Sequence, residues 1–294
     1  MPRAAGLFQR AIVQSMPGTF LTPALAADLT DACCAELGVD TANLADVPPA
    51  DLPIAVDLLM ATMGGDADRW GPLASAQIPV APVVDGEVLP GDPWRGLTGA
   101  VPLLVGHTRH EQRLLSLMAG TLGQVTEALA DATTAAFAPD PDRYRDLFPD
   151  PEERYDVVRS DWLFRMPTVK LAEAQIDAGG MAYVYELTWP APGLGGVLGA
   201  CHGLDVPLVF GNLTAGQPAM LIGDAIAEAS TISRQMRAAW LAFAAEGEPG
   251  WPSFESGATR LFDRDAAVVD YPEQASRQIW RGYPQVIDLP YGRG

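Results

Sequence analysis

The sequence has little histidine and cysteine and few basic residues. It contains 3 histidines and 3 cysteines, and 19 lysines and arginines stand against 37 aspartates and glutamates. The formal charge of −18 would repel phosphate backbones and anionic lipid surfaces, which argues against nucleic acid as a partner. Because the acidic residues are scattered rather than gathered into a tail, we interpret this charge as a solubility feature that says little about substrate.

The cysteines and the hydrophobic runs bear on the cellular compartment. Cys33 and Cys34 are adjacent and Cys201 is distant, so the three form neither a disulfide framework nor a metal-ligand spacing. The chain opens without a basic segment and apolar core typical of a leader, and no apolar run reaches about 18 residues, the length of a membrane span. We therefore predict a cytoplasmic protein with no membrane partner.

Hydrophobic patterning predicts strands that alternate with helices. Short apolar runs typical of buried strands occupy residues 12–13, 101–106 and 181–189. Helices are predicted over residues 22–37, over 50–63, over 151–178 with a kink or division at Pro167, and after an N-cap at Asp224. This alternation indicates an α/β fold with a mostly parallel sheet, whose functional residues lie on loops beyond the carboxyl ends of the strands.

Any imidazole chemistry must use His107, His110 or His202, the three histidines of the chain. His202 lies in a loop of small residues after the strand at 181–189, where it could face a cleft, although a surface or capping histidine is the alternative. Glu111 follows the strand that ends at Gly106 and could orient an imidazole and stabilise the imidazolium, or it could be a solvated loop glutamate. His107 and His110 flank Glu111 closely enough for a zinc site only if the segment were helical, and we predict no metal.

A nucleophile is the component that the sequence lacks. It contains neither a Gly-x-Ser-x-Gly elbow nor a His-Gly-Gly-Gly loop that would supply oxyanion donors. Ser15 lies in Gln-Ser-Met-Pro-Gly, which lacks the tight strand-to-helix turn that exposes an attacking hydroxyl. Cys201 adjoins His202, but neighbours in an extended chain point in opposite directions, so a Cys-His pair is not expected.

Several motifs stand in the order found in one family. Residues 6–15 resemble the segment shortly after the nucleophile elbow of type B carboxylesterases, the cholinesterase-like α/β-hydrolases that include bacterial para-nitrobenzyl esterases. Residues 82–90 resemble the loop before the family's acid-bearing strand, 102–111 the strand and loop that present its catalytic glutamate, and 202–211 its histidine loop. Further matches, in family order, are residues 161–165, residues 183–185, and Trp240 through Trp251 and Pro252.

The resemblance implies a role for individual residues. Glu111 would be the acid of a serine-hydrolase triad, His202 its general base, and Ser15 a supporting serine that hydrogen-bonds the acid. The nucleophile and oxyanion loop would lie upstream of Met1, so residues 1–294 would form the C-terminal part of a single α/β-hydrolase domain. The sequence departs from the family where His110-Glu111-Gln112 replaces the usual Asp-Glu-Gly and where His107 replaces a small polar residue.

The implied activity is hydrolysis of a small-molecule carboxylic ester through an acyl-enzyme, without cofactor or metal. We expect no turnover by the chain alone, because its nucleophile is missing. The strand at 12–13 would then be an unpaired edge that binds a complementary N-terminal polypeptide or self-associates. One alternative is a catalytically inactive hydrolase fragment that serves as a binding or interaction module. Another is a metal enzyme built on His107, His110 and Glu111.

Overall fold

A computed structural model describes residues 1–289. In chain order its strands are β1 (Ala11–Gln14), β2 (Phe20–Leu21), β3 (Leu103–Thr108), β4 (Ala182–Leu187), β5 (Ala258–Phe262), β6 (Ala267–Asp270) and β7 (Val286–Ile287). Its α-helices are α1 (Pro23–Leu37), α2 (Leu52–Thr62), α3 (Ala67–Trp70), α4 (Pro72–Ala76), α5 (Glu111–Met118), α6 (Glu127–Phe137), α7 (Pro141–Leu147), α8 (Pro151–Ser160), α9 (Met166–Asp177), α10 (Asp205–Phe210), α11 (Gly216–Ile222), α12 (Ile226–Glu246) and α13 (Gln274–Ile279). A π-helical segment, Asp161–Arg165, joins α8 to α9.

The chain forms two compact units. The larger combines residues 4–18 with residues 94–283, and the smaller contains residues 1–3, 19–93 and 284–289. That residues 1–294 belong to a single hydrolase domain stays a prediction. No helix in the part of the chain that the structure describes is long and apolar enough to cross a membrane.

The sheet of the larger unit has the spatial order β1-β3-β4-β5-β6. Strands β1, β3, β4 and β5 are parallel, and β6 pairs antiparallel with β5. Val13 pairs with Val105, which pairs in turn with Val184, so the first three strands leave the sheet at the same edge. The predicted mostly parallel sheet is confirmed, and the loops that follow β1, β3 and β4 meet at its carboxyl edge.

The interior of this unit explains why the central strands are apolar. Every residue of β3 and β4 is buried, as expected for parallel strands covered on both faces. Tyr185 of β4 packs edge-on against Trp240 of α12, with ring centroids 4.9 Å apart, and against Phe262 of β5 at 6.0 Å. Gly106 of β3 lies beside the Tyr185 ring, where an added Cβ would come within 2.1 Å of Cδ1.

The smaller unit is built on α1 to α4 and a parallel pairing of β2 with β7. The Thr22 side chain caps α1 by accepting from the Leu25 amide, and Gly38 ends the helix at a φ of 67°. Leu25 and Leu29 of α1 are buried as the spacing predicts, but the buried cysteine is Cys34 and not Cys33.

Two predicted helix features differ from the structure. Asp224 is not an N-cap, since α12 begins at Ile226 after Ala225 and has no side-chain cap hydrogen bond. The helix predicted over 151–178 is continuous from residue 151 to residue 177 and is not divided at Pro167. Its irregularity is the π-helical segment that ends two residues before the proline.

Candidate active site

Glu111 is the first residue of α5 and is fully buried at the carboxyl edge of the sheet. Its Oε1 accepts hydrogen bonds from Ser15 Oγ at 2.6 Å and from the Thr108 amide at 2.7 Å. Its Oε2 accepts from His202 Nδ1 at 2.5 Å. Burial alone would raise the pKa of Glu111, but the hydrogen bonds and the charge of His202 outweigh it and the net pKa is lowered. The carboxylate therefore remains charged in a buried position.

His202 lies on the loop between β4 and α10 with its side chain one-third exposed. Because Nδ1 donates to Glu111, Nε2 carries the lone pair, and it has no hydrogen-bond partner within residues 1–289. Phe164 stacks on the imidazole with ring centroids 4.4 Å apart. Burial lowers the pKa of His202, but the hydrogen bond and the charge of Glu111 raise it by more, so the net pKa is raised. The imidazole is thus held as a base whose protonated form is stabilised.

Ser15 follows β1 and is buried, in a left-handed conformation with φ at 52°. Its amide donates to the Gly106 carbonyl at 2.8 Å, which extends the pairing of β1 with β3 by one residue. Its hydroxyl donates to the carboxylate of Glu111, so Ser15 supports the acid and is not bonded to the imidazole. The structure brings together the three residues that the sequence singles out: Ser15, Glu111 and His202.

Phe164 is a site residue that sequence reasoning did not single out. It lies in the π-helical segment, which is held by Asp161: this carboxylate accepts from Arg165 Nε and from the Tyr144 hydroxyl, each at 2.7 Å. The wide turn presents the Phe164 ring to His202. The sequence signal for this residue is the family-like motif at residues 161–165, which indicates that the segment matters but does not predict that Phe164 stacks on His202.

His107 and His110 do not converge with Glu111 on a metal site. His107 is buried between the Thr108 carbonyl, 3.1 Å from Nδ1, and the Tyr271 hydroxyl, 3.0 Å from Nε2. His110 Nδ1 instead lies 3.2 Å from the Ala200 amide. Among the residues described, the structure contains no group of three histidine, cysteine, aspartate or glutamate side chains placed to hold a metal ion. The arrangement needed by the metal-enzyme alternative is therefore not formed.

A cavity of about 270 Å³ lies beside His110. Its charged lining residues are Arg109, Arg113, Glu153, Asp156, Arg165 and Glu273. Burial raises the pKa of Asp156 to about 6 despite its salt bridge with Arg113 at 3.2 Å. Neither Glu111 nor His202 lines the cavity, so it is separate from the site that those two residues form.

Comparison with known proteins relates the chain to carboxylesterases. A family model described as "Carboxylesterase family" matches residues 142–278. The para-nitrobenzyl esterase of Bacillus subtilis is 29% identical over 290 residues, which are 95% of this chain and 58% of that protein. The chain is therefore similar to carboxylesterases over most of its length. Both the predicted family and the α/β-hydrolase fold are confirmed.

Solved carboxylesterases show the same similarity. A carboxylesterase of Geobacillus stearothermophilus superposes with a TM-score of 0.78 at 26% identity, over 95% of this chain and 60% of that structure. A thermophilic para-nitrobenzyl esterase gives 0.74 at 26% identity, over 95% of this chain and 58% of that one. Carboxylesterase 5A of Felis catus is 26% identical over 95% of this chain and 55% of its own length. The chain thus spans little more than half the length of the relatives it matches.

Proposed function

We propose that this chain supplies Glu111 and His202 as the acid and general base of a serine carboxylic ester hydrolase. The observation that carries the proposal is the 2.5 Å hydrogen bond from His202 Nδ1 to Glu111 Oε2, which leaves a partly exposed Nε2 as the base. Similarity to carboxylesterases supports an ester as the substrate. The nucleophilic serine would be carried by a segment outside these 294 residues.

The reaction would proceed through an acyl-enzyme. As the serine oxygen bonds to the ester carbonyl carbon, His202 Nε2 takes the serine proton, and Glu111 stabilises the imidazolium across Nδ1. The imidazolium then gives this proton to the departing alcohol as the carbon–oxygen bond breaks. Water repeats the sequence on the acyl-enzyme and releases the carboxylic acid. Ser15 would keep Glu111 in one orientation throughout by its hydrogen bond to Oε1.

The nucleophile-bearing segment would pair with β1. This strand is the outermost of its sheet within residues 1–289, and its residues are only half-buried. Leu7 and Phe8, just before it, are 76% and 50% exposed. An open strand edge beside exposed apolar side chains favours a complementary polypeptide, and self-association would be the outcome where that polypeptide is absent.

A chimera tests the proposal. The part of the Bacillus subtilis para-nitrobenzyl esterase that precedes its match to this chain would be fused to residues 1–294 and assayed with a para-nitrobenzyl ester. We expect hydrolysis that His202→Gln and Glu111→Gln each reduce by orders of magnitude, and none from the unfused chain. The matched control is serine-to-alanine at the relative's nucleophile.

Two results would overturn the proposal. One is a fluorophosphonate probe that labels a serine of the unfused chain, which would place a nucleophile within it. The other is a folded chimera whose serine reacts with the probe while His202→Gln leaves ester hydrolysis unchanged. A folded chimera without any hydrolysis would instead favour the inactive interaction module. The cytoplasmic location stays a prediction from the sequence.

A further inference from the structure

The loop that bears Glu111 and the loop that bears His202 are joined at His110. The His110 amide donates to the Ala200 carbonyl at 2.9 Å, and the Ala200 amide donates back to His110 Nδ1 at 3.2 Å. His110 also forms an isolated parallel bridge with Cys201. His110 immediately precedes Glu111 and Cys201 immediately precedes His202, so the junction lies one residue from each member of the acid–base pair.

The absence of a side chain at Gly199 leaves room for the imidazole of His110. It has a φ of +58°, and a Cβ there would lie 2.6 Å from His110 Nδ1 and 3.0 Å from Cε1. A side chain at this position would strain the backbone and push the ring away from the Ala200 amide. The small-residue loop before His202 is therefore shaped to receive the ring of His110.

The contact requires a neutral imidazole. Nδ1 accepts a hydrogen bond from a backbone amide, so it cannot itself carry a proton, and a doubly protonated ring would set two N–H groups against each other. Burial, followed by the charges of Arg113, Arg165 and Arg109, lowers the pKa of His110 to about 3, against a weaker opposing effect of Glu273. The ring therefore stays a neutral acceptor over the range in which His202 titrates.

We propose that His110 is a positioning residue that locks the His202 loop to the Glu111 loop and so fixes the acid–base distance. Its catalytic meaning rests on the proposed function, but the lock itself does not. A neutral acceptor suits the place because it binds the Ala200 amide without setting a second negative charge next to Glu111, which would oppose ionisation of that carboxylate.

The test is proton and nitrogen NMR of the histidine-labelled chain, whose three imidazoles can be assigned by substitution. His110→Asn keeps an acceptor at the δ position of the side chain, whereas His110→Leu has similar bulk and no acceptor. For His110→Leu we expect the downfield Nδ1 proton of His202 to broaden or vanish and its pKa to fall toward the ordinary 6.5. His110→Asn should retain the proton resonance and most of the raised pKa.

Controls separate the lock from general loss of stability. Thr134→Val removes a buried hydrogen bond to the Ala130 carbonyl within α6, and its His202 signals should match those of the unaltered chain. If His110→Leu does not fold, His110→Gln replaces it, since glutamine carries its acceptor one bond further out. Amide exchange at Ala200 should be faster in that variant than in His110→Asn.

Unchanged His202 signals and Ala200 exchange in both the leucine and the glutamine variants would overturn the lock. None of these measurements uses ester turnover. Failure of the lock is therefore distinguishable from failure of the proposed esterase function.

Discussion

Ser15 and Glu111 are 96 residues apart in the sequence, yet the Ser15 hydroxyl lies 2.6 Å from a carboxylate oxygen of Glu111. The register of two parallel strands brings them together, because Gln14 pairs with Gly106 and both chains then leave the sheet at the same edge. Ser15 takes a left-handed φ of 52° at this exit. Strands β1 and β4 lie on either side of β3. Glu111, which follows β3, is therefore oriented by Ser15 at the end of β1 and is hydrogen-bonded to His202 on the loop after β4.

Ser15→Ala should destabilise the protein more than Ser15→Gly does. Ser15→Ala removes a donor from a buried carboxylate and keeps the left-handed strain, so we expect a loss of about 1.5–3 kcal/mol of unfolding free energy. Ser15→Gly loses the same donor but adopts a positive φ freely, which should recover about 0.5–1 kcal/mol. Urea unfolding of both variants measures the difference. Equal or greater destabilisation by glycine would contradict the strain at this position.

The bond between Glu111 and His202 should make stability depend on pH in a bell-shaped manner. The raised pKa of His202 gives a contribution that is present below its unfolded pKa of 6.5 and lost as the pH rises through the folded value. The lowered pKa of Glu111 gives one that is present above its unfolded pKa of 4.5 and lost as the pH falls through the folded value. The melting-temperature difference between the unaltered chain and Glu111→Gln should therefore be largest between pH 4.5 and 6.5. A difference that is constant from pH 4 to 9 would speak against a bonded pair.

Gly106 should not tolerate a side chain. A Cβ at this position would lie 2.1 to 2.4 Å from three atoms of the Tyr185 ring, inside a sheet whose strands are buried on both faces. We expect Gly106→Ala to cost about 3 kcal/mol or more, through displacement of the ring or of the strand. Gly96→Ala is the matched control in the same unit, because nothing lies within 4 Å of its added Cβ. Similar urea midpoints for the two variants would rule out the tight packing of Gly106.

Sequence reasoning predicted the strands and singled out Glu111 and His202, which are hydrogen-bonded in the structure, but not the parts that depend on distant contacts. β1, β3 and β4 are short apolar runs, and Glu111 and His202 lie in contiguous motifs, so local pattern was sufficient. The stacking of Phe164 on His202 arises from a π-helical turn, which the spacing of hydrophobic residues does not predict. Such features are set by tertiary hydrogen bonds, which a one-dimensional pattern does not encode.

The same limit applies to His110. In the sequence it is one of two histidines that closely precede Glu111, and their spacing suggested a metal site as one possibility. Its role depends on a loop 90 residues away whose glycine leaves room for the ring. A pattern read along the chain could not reveal that partner.

Glu186 should produce a second, separable pH dependence. It is fully buried in β4, bonded through both oxygens to Arg109 at 2.8 and 3.2 Å, and burial followed by the nearby charge of Glu273 raises its pKa to about 8. Since the folded pKa lies above the unfolded 4.5, the contribution to stability is full below pH 4.5 and is lost as the pH rises through about 8.

Glu186→Gln does not titrate, so its stability relative to the unaltered chain should increase steadily as the pH rises from 4.5 to about 8 and then level off. Thermal melts at half-unit pH steps measure this change. The Glu111→Gln effect is largest between pH 4.5 and 6.5, whereas this one reaches its full size only above about pH 8, so the two pH dependences are distinguishable. Parallel curves for Glu186→Gln and the unaltered chain across this range would mean that Glu186 is ionised throughout, with Arg109 outweighing its burial.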